Sequence, residues 1–214
     1  MKSSLKVILT LIIFLALLLA SGCVKQQVKY SGFLENYPVF KKGAKGGVDK
    51  VYVKEGVNFK KYHKILMDPV EFYIKLDAKY QGIRVDVLQK MSYAFGQAVD
   101  EALKGSYELV DEPGKDVLRI RFAITDVVPS KESLGAFQAG PGAVGMRTYV
   151  NVGSASMEAE VLDSMTNERV AAAIDTQVGD PQSPGEVNTW KATRAAFEFW
   201  AMRLRIWLDE THDR

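Results

Sequence analysis

A single cysteine, Cys23, is the feature that most constrains how this 214-residue chain can fold. One cysteine cannot form a disulfide within the chain, so packing alone has to hold the folded state together. Residues 23–214 are long enough for one domain with a substantial hydrophobic core. No stretch after Cys23 approaches 18 continuous apolar residues, so we expect this domain to be water-soluble.

The residues before Cys23 indicate export. A basic start precedes an apolar run over residues 7–20, and small residues follow it up to Gly22. These three parts are typical of a signal peptide. A cysteine directly after them resembles the lipid-modified residue of bacterial lipoproteins, which implies cleavage between Gly22 and Cys23 and acylation of Cys23. An ordinary secretory signal with a coincidental cysteine is the alternative.

The resemblance also implies a compartment. Several acyl chains on Cys23 would hold the protein at a membrane, since each buried CH₂ contributes ~0.8 kcal/mol. Val24 stands where an Asp would imply inner-membrane retention in enterobacteria. We therefore expect the outer membrane, with the protein facing the periplasm, while the inner membrane stays open as the alternative.

Charge is distributed unevenly along the chain. Residues 24–64 contain ten lysines and three acidic residues, whereas residues 65–214 carry 16 basic and 23 acidic residues. We predict a signal peptide over 1–22, a basic lipid-anchored tether over 23–49 and a folded domain over 50–214. The tether is either a solvated linker or a contact with anionic head groups. Nucleic acid is excluded as a partner, because the lysines lack interleaved arginines and the compartment is wrong.

Periodicity predicts an α+β fold. Apolar residues at helical spacing predict helices over residues 87–104, capped by Asp86, and 189–208, which carries a tryptophan stripe. Alternating residues predict strands over 51–53, 62–74 with an interruption at Pro69, 107–110, 117–127, 154–162 and 169–178. This order favours a two-layer sandwich, with a mostly antiparallel sheet and two main helices on one face. Residues 31–37, within the tether, form an apolar-aromatic cluster that we expect to dock on the domain.

Several short strings resemble one family. They are residues 31–34 (SGFL), 123–126 (AITD), 160–164 (EVLDS) and 199–201 (FWA). Together with Cys23 they look like the bacterial lipoproteins grouped as domain of unknown function 3313. The resemblance covers nearly all of residues 23–214, implies no established activity and offers no catalytic residues.

Motifs for cofactors and metals are weak. Residues 140–145 match G-x-G-x-x-G, but the sequence after them is β-like, and a dinucleotide site needs a helix there. His63 and His212 lack a cysteine partner, so a zinc site of the usual type is not expected. We predict no cofactor and no metal.

Carboxylates are the remaining enzymatic candidates. A hydrolase of murein or lipid would have to use Asp126, Asp163 or Asp175, which close or interrupt strands. Each also has a simple structural role: Asp126 as a strand terminator, Asp163 as a turn residue and Asp175 on a solvent face. We therefore expect a protein that is not an enzyme.

The function that we favour is a non-catalytic interaction or accessory module in the periplasm, bound to an envelope protein. Helices on one sheet face leave the other face available, and Arg119, Arg121, Glu158 and Glu160 are its predicted partner surface. The alternatives are the hydrolase and a carrier that binds an apolar ligand between the sheet and the tryptophan-bearing helix.

Overall fold

The computed structural model describes residues 30–74, 83–129, 131–134, 147–151, 153–179 and 190–214. Residues Ser31–Arg214 form one compact unit. The strands in the described residues are β1 (Lys41–Lys42), β2 (Lys50–Val53), β3 (Lys64–Met67), β4 (Glu71–Phe72), β5 (Glu108–Leu109), β6 (Val117–Val128), β7 (Lys131–Leu134), β8 (Arg147–Asn151), β9 (Ser154–Asp163) and β10 (Arg169–Val178). The helices are α1 (Val85–Leu103) and α2 (Lys191–Thr211).

Eight strands form the main sheet, in the order β1-β2-β10-β9-β6-β3-β5, with β4 also paired to β6. The pairs from β1 to β6 along this order are antiparallel, whereas β3 and β4 run parallel to β6, and β5 runs parallel to β3. β7 and β8 form a separate antiparallel pair. The predicted α+β class with a mostly antiparallel sheet is confirmed. The two-layer arrangement stays a prediction.

One face of the main sheet packs against both helices, and we call it the helix face. Apolar residues occupy alternate positions of β6 and β9 on this face. The register of the two strands places the apolar residues of β6 opposite those of β9. Phe95 of α1 packs edge-to-face on Phe122, with ring centroids 4.8 Å apart, and lies 6.0 Å from the Trp200 ring of α2. The large buried side chains here include Ile120, Phe122, Ile124, Phe95, Phe197 and Trp200.

The first helix begins earlier than predicted. α1 starts at Val85, and Arg84 occupies the cap position without a side-chain capping bond. Asp86, the predicted cap, lies in the first turn instead, where its carboxylate accepts hydrogen bonds of 2.9 and 2.7 Å from the Arg84 guanidinium. A carboxylate in the first turn still interacts favourably with the positive end of the helix dipole.

The folded unit also begins earlier than predicted, at Ser31 rather than at residue 50. Phe33 and Leu34 are 3% and 0% exposed, and β1 pairs with β2 in the main sheet. The tether predicted over 23–49 therefore needs correction from residue 31 onward, because apolar side chains in this lysine-rich stretch are buried. The prediction that residues 31–37 dock on the domain is confirmed.

Pro69 interrupts the strand predicted over 62–74, as expected for a residue that cannot donate to a sheet ladder. β3 ends before it and β4 follows it, and both pair with β6. Of the helices in the described part of the chain, neither is long and apolar enough to cross a membrane. The signal peptide, Cys23 and the glycine-rich string 140–145 lie outside the described residues.

Candidate functional site

The sheet face opposite the helices, which we call the second face, carries a buried carboxylate. Glu158 lies in β9, opposite Ala123 of β6 and Ile174 of β10. Its exposed fraction is 0%. The alternation along β9 predicts that Glu158 faces solvent, because the residues on either side of it in the strand point to the buried helix face. Since Glu158 is nevertheless buried, another part of the chain has to cover it.

Residues 31–37 provide this cover and satisfy the carboxylate. The Ser31 backbone N–H and the Ser31 hydroxyl each donate a hydrogen bond of 2.8 Å to Glu158, and the Tyr37 hydroxyl donates one of 2.6 Å. Burial and the bond to Glu158 raise the pKa of Tyr37, so its hydroxyl stays a donor. Gly32 makes the turn between them with a φ of 93°, a conformation that glycine adopts without strain.

Apolar contacts complete the cover. Phe33 and Leu34 pack on Ala123 and Ala172 of the second face. Because both sheet residues are alanine, the segment can approach the strands closely. The guanidinium of Arg121 lies over the Phe33 ring, 4.8 Å from its centroid, which links this cover to the charged residues beside it.

A charged cleft of about 530 Å³ lies on the second face next to residues 31–37. Its charged lining consists of Glu35, Asp68, Glu71, Arg119, Arg121, Glu160 and Arg169. Three arginines and four carboxylates thus share one concave surface. The charged cleft is polar throughout most of its lining, in contrast to the core on the helix face.

Glu160 is the most buried charge in the charged cleft, with 4% of its side chain exposed. The Arg121 guanidinium is 2.5 Å from one carboxylate oxygen, and the Arg169 guanidinium is 2.7 Å from the other. Both oxygens of Glu160 are therefore matched by a cation, which a buried carboxylate requires.

Arg119 and Asp68 form a second pair in the charged cleft. Two guanidinium nitrogens of Arg119 donate to the two carboxylate oxygens of Asp68 at 2.9 and 2.7 Å. A third nitrogen donates to the Asn167 side-chain oxygen at 3.1 Å. The Arg119 side chain is 36% exposed and that of Arg121 is 28% exposed, so both arginines remain in contact with solvent.

The predicted partner surface is only partly accessible. Arg119, Arg121 and Glu160 line the charged cleft. Glu158 does not, and its expected exposure is corrected, because residues 31–37 cover it. Asp68 and Glu71, which sequence reasoning missed, reach the charged cleft through the parallel pairing of β3 and β4 with β6. Local sequence contains no signal for that pairing.

The three aspartates considered for hydrolysis lie in separate places. Cross-strand register puts Asp126 on the second face and Asp175 on the helix face. Asp163 ends β9 opposite Leu118, eight residues along β6 from Asp126, which corresponds to ~26 Å of strand. A glycosidase needs its two carboxylates within roughly 10 Å in one cleft. These three side chains are not brought together. Asp126 also lies inside β6 rather than after it.

Asp175 is not on a solvent face, contrary to the prediction, and is 1% exposed. One carboxylate oxygen accepts hydrogen bonds from the Trp200 indole N–H at 2.7 Å and from the Gln177 amide at 2.6 Å. The other accepts the Asp49 backbone N–H at 2.8 Å. A buried indole N–H needs an acceptor, so Asp175 is the residue that allows Trp200 to pack in the core.

Asp163 has the turn role that its position predicts. One carboxylate oxygen accepts the Met165 and Thr166 backbone N–H groups, both at 3.1 Å, and the other accepts the Tyr62 hydroxyl at 2.7 Å. Burial alone would raise the pKa of Asp163, but hydrogen bonds from Tyr62, Lys61 and Thr166 outweigh it and lower the pKa to about 2. The carboxylate is therefore ionised at neutral pH and is unsuited to donate a proton.

An apolar cavity of about 260 Å³ lies on the helix face, between α2 and the strands β2, β9 and β10. Its α2 side is lined by Trp200, Leu204 and Trp207, and its sheet side includes Ala159, Ala171 and Ala173. These sheet residues are small, which leaves space beneath the helix. Arg203 and Glu210 are the charged residues of its lining.

The two histidines lie close together, with ring centroids 6.4 Å apart. His212 caps the end of α2. Its ring nitrogens lie 2.6 Å from the Leu208 carbonyl oxygen and 2.6 Å from the Tyr62 carbonyl oxygen, which ties the end of α2 to the segment just before β3. Throughout the described ranges, no group of three or more His, Cys, Asp or Glu residues could hold a metal ion.

Solved structures resemble this fold only loosely. A PelC dodecamer from Paraburkholderia phytofirmans has 11% sequence identity and a TM-score of 0.40, with 72% of this chain and 96% of that chain covered. A minor lipoprotein from Acinetobacter baumannii has 11% identity and a TM-score of 0.34, with 71% and 95% covered. Neither similarity is high enough to bear on function.

Sequence comparison gives a clear family. The uncharacterized lipoprotein YdcL of Escherichia coli K12 is 30% identical over 194 residues, which cover 85% of this chain and 84% of that protein. The protein of the same name in Escherichia coli O157:H7 aligns with the same values. Lipoprotein relatives indicate a membrane-anchored envelope protein. The model of the family described as "Protein of unknown function (DUF3313)" matches residues 29–204, which confirms the resemblance found in the sequence. This chain therefore belongs to the DUF3313 family of lipoproteins of unknown function.

Proposed function

We propose that this chain is a lipid-anchored envelope lipoprotein that acts as a non-catalytic interaction module in the periplasm. Its partner is an envelope protein that binds the charged cleft. The lipoprotein relatives support the envelope assignment. The observation that carries the binding role is the charged cleft itself, a concave surface of about 530 Å³ with partly exposed arginines.

The chemistry of the charged cleft suits a protein partner. Arginine is enriched at protein interfaces because its planar guanidinium donates several hydrogen bonds in fixed directions. The arginines of the charged cleft are already oriented by Asp68 and Glu160, so little side-chain freedom is lost on binding. Alternating charges of both signs select a partner of complementary pattern and disfavour others.

A photocrosslinking amino acid tests this role. Placed at Asn167, which lines the charged cleft, it should give a discrete crosslinked band in intact cells. The matched control is the same amino acid at Tyr93, 69% exposed on α1, which should give no such band. Identical products from both positions, or none from Asn167, would argue against the charged cleft as the binding surface.

Anchoring is the second part of the proposal. The lipid is attached to Cys23 after cleavage at Gly22, and the protein is held at the outer membrane facing the periplasm. Cys23→Ser should abolish lipidation, because serine lacks the thiol that receives the diacylglyceryl group. Undiminished labelling of this variant with radioactive palmitate would contradict the assignment, and membrane fractionation of the unaltered chain tests the outer-membrane placement.

The proposal assigns no catalytic role to Asp126, Asp163 or Asp175. Their separation on the sheet supports this, because acid–base catalysis needs two groups in one cleft. Asp126→Asn should therefore leave complementation of a deletion phenotype unchanged, with folding checked by circular dichroism. Murein release by the purified protein that disappears in a well-folded Asp126→Asn variant would favour a hydrolase instead.

A further inference from the structure

The apolar cavity contains an unusual cation. Arg203 is half-buried in α2 and lines the cavity together with Trp200, Leu204 and Trp207. Within the described part of the chain, its guanidinium makes no ion pair and no hydrogen bond. By contrast, Arg205, two residues later, pairs with Asp209 at 2.8 Å. Among the described residues, this half-buried guanidinium beside an apolar space has no counter-charge.

Glycine stands next to the guanidinium of Arg203. The distance between a guanidinium nitrogen of Arg203 and the position that a Cβ of Gly47 would occupy is 3.3 Å, so glycine at this position keeps the guanidinium uncrowded. Glu210, the other charged residue of the lining, is seven residues further along α2, which corresponds to ~10 Å of helix. The cavity is therefore positively charged at Arg203, and the carboxylate of Glu210 does not pair with this guanidinium.

We propose that the apolar cavity binds a free medium-chain fatty acid, with its chain between α2 and the alanines of β9 and β10 and its carboxylate on Arg203. The chain matches the apolar lining. The carboxylate matches the unpaired guanidinium, which can bind it through two parallel hydrogen bonds. A volume of about 260 Å³ lies below the roughly 300–1,000 Å³ of drug-sized pockets, which favours one acyl chain over a two-chain lipid.

This site is independent of the proposed partner binding. The apolar cavity lies on the helix face and the charged cleft on the second face, so loss of one function does not imply loss of the other. The inference goes beyond an interaction module, because it assigns a small-molecule ligand to the protein.

Laurate is the probe for the test, titrated below its critical micelle concentration into the chain from residue 24 onward. This chain contains the whole compact unit Ser31–Arg214. Trp200 and Trp207 line the cavity, so we expect a saturable change in tryptophan fluorescence with one site per chain. 1-Dodecanol has the same chain without the charge, and we expect it to bind about tenfold more weakly.

Two variants locate the ligand, and each is first checked by thermal unfolding. Arg203→Gln should remove the preference for laurate over 1-dodecanol, whereas Arg194→Gln, an exposed arginine of the same helix, should keep it. Ala173→Leu should fill part of the cavity and weaken the binding of both laurate and 1-dodecanol. No saturable binding, an unchanged preference in Arg203→Gln, or unchanged binding in a folded Ala173→Leu would overturn the proposal.

Discussion

The two faces of the main sheet are covered in different ways. On the helix face, two long helices place large apolar side chains such as Phe95 and Trp200 on β6 and β9. On the second face, residues 31–37 provide the cover through hydrogen bonds to Glu158 and the side chains of Phe33 and Leu34. The comparison teaches that one strand can present an apolar core on one face and a buried charge on the other.

The energetic basis differs accordingly. Burial of apolar area stabilises the helix face without requiring a particular direction of contact. The second face depends on matched donors, since a buried carboxylate that loses its donors is strongly destabilising. We therefore expect substitutions on the helix face to cost free energy in proportion to lost packing, and substitutions on the second face to depend on which hydrogen bond is removed.

The largest expected effect is on the helix face. Trp200→Ala should lower the free energy of unfolding by about 3–5 kcal/mol, because it leaves a cavity in the core and deprives Asp175 of the indole donor at 2.7 Å. Denaturant unfolding of the purified domain measures this loss.

Trp200→Phe is the matched control, since it retains much of the volume and removes the indole N–H. It should lose about 1–3 kcal/mol, the cost of removing one hydrogen bond to a charged group, while the Asp175 carboxylate keeps its donors from Gln177 and Asp49. If both variants unfolded like the unaltered chain, Trp200 would not be a core residue and the comparison of the two faces would fail.

On the second face, the largest expected effect is that of Leu34→Ala, at about 3 kcal/mol, because Leu34 is 0% exposed. Val39→Ala is its control. Val39 is 90% exposed, so its loss should change stability by less than about 0.5 kcal/mol. Equal stability of the two variants would mean that residues 31–37 contribute little to the fold, as a simple tether would.

The sequence predicted the helix face far better than the second face. Alternation over residues 117–127 and the apolar spacing that includes Phe197, Trp200 and Leu204 predicted which side chains are buried there. Both signals are local, because they depend only on the period of a strand or helix.

Long-range contacts explain the failures. The strand pattern predicts that Glu158 faces solvent. Its hydrogen-bond donors Ser31 and Tyr37 lie more than 120 positions away in sequence, so the local pattern does not reveal them. The strand pattern also predicts that Asp175 faces solvent, but its hydrogen-bond donor Trp200 lies on the following helix, α2. Arg119, Arg121 and Glu160 were predicted to share the second face, but their neighbours Asp68 and Glu71 depend on parallel pairing that no local pattern encodes.

The turn between β9 and β10 gives a pH-dependent test. The pKa of Asp163 is lowered to about 2, so its hydrogen bonds stabilise the fold above its unfolded pKa of ~3.9 and are lost as the pH falls through about 2. Asp163→Asn should be less stable than the unaltered chain by about 2 kcal/mol at pH 7. This gap should shrink between about pH 4 and pH 2.

Asp111→Asn is the control for that experiment, because Asp111 is exposed and its replacement should produce no gap at either pH. A gap for Asp163→Asn that stays constant from pH 7 to pH 2 would show that the carboxylate charge is not what stabilises the turn. Thermal unfolding across the pH range measures both variants.

The smallest expected effect is that of Tyr37→Phe. This change removes one donor from Glu158 and leaves the two from Ser31, so we expect a loss of about 1–2 kcal/mol. Tyr93→Phe, on an exposed position of α1, should be neutral within about 0.5 kcal/mol. If Tyr37→Phe left the free energy of unfolding unchanged, the hydrogen bonds from Ser31 alone would stabilise the Glu158 carboxylate.

Residues 31–37 also determine how the domain would respond to mechanical force. A pull on the chain ahead of Ser31 would act first on the three hydrogen bonds to Glu158 and then on Phe33 and Leu34. β1 and β2 come next along the chain, so the main sheet would be strained only after this segment had detached. Tension would therefore expose a buried carboxylate on the second face while the core under the helices stayed intact.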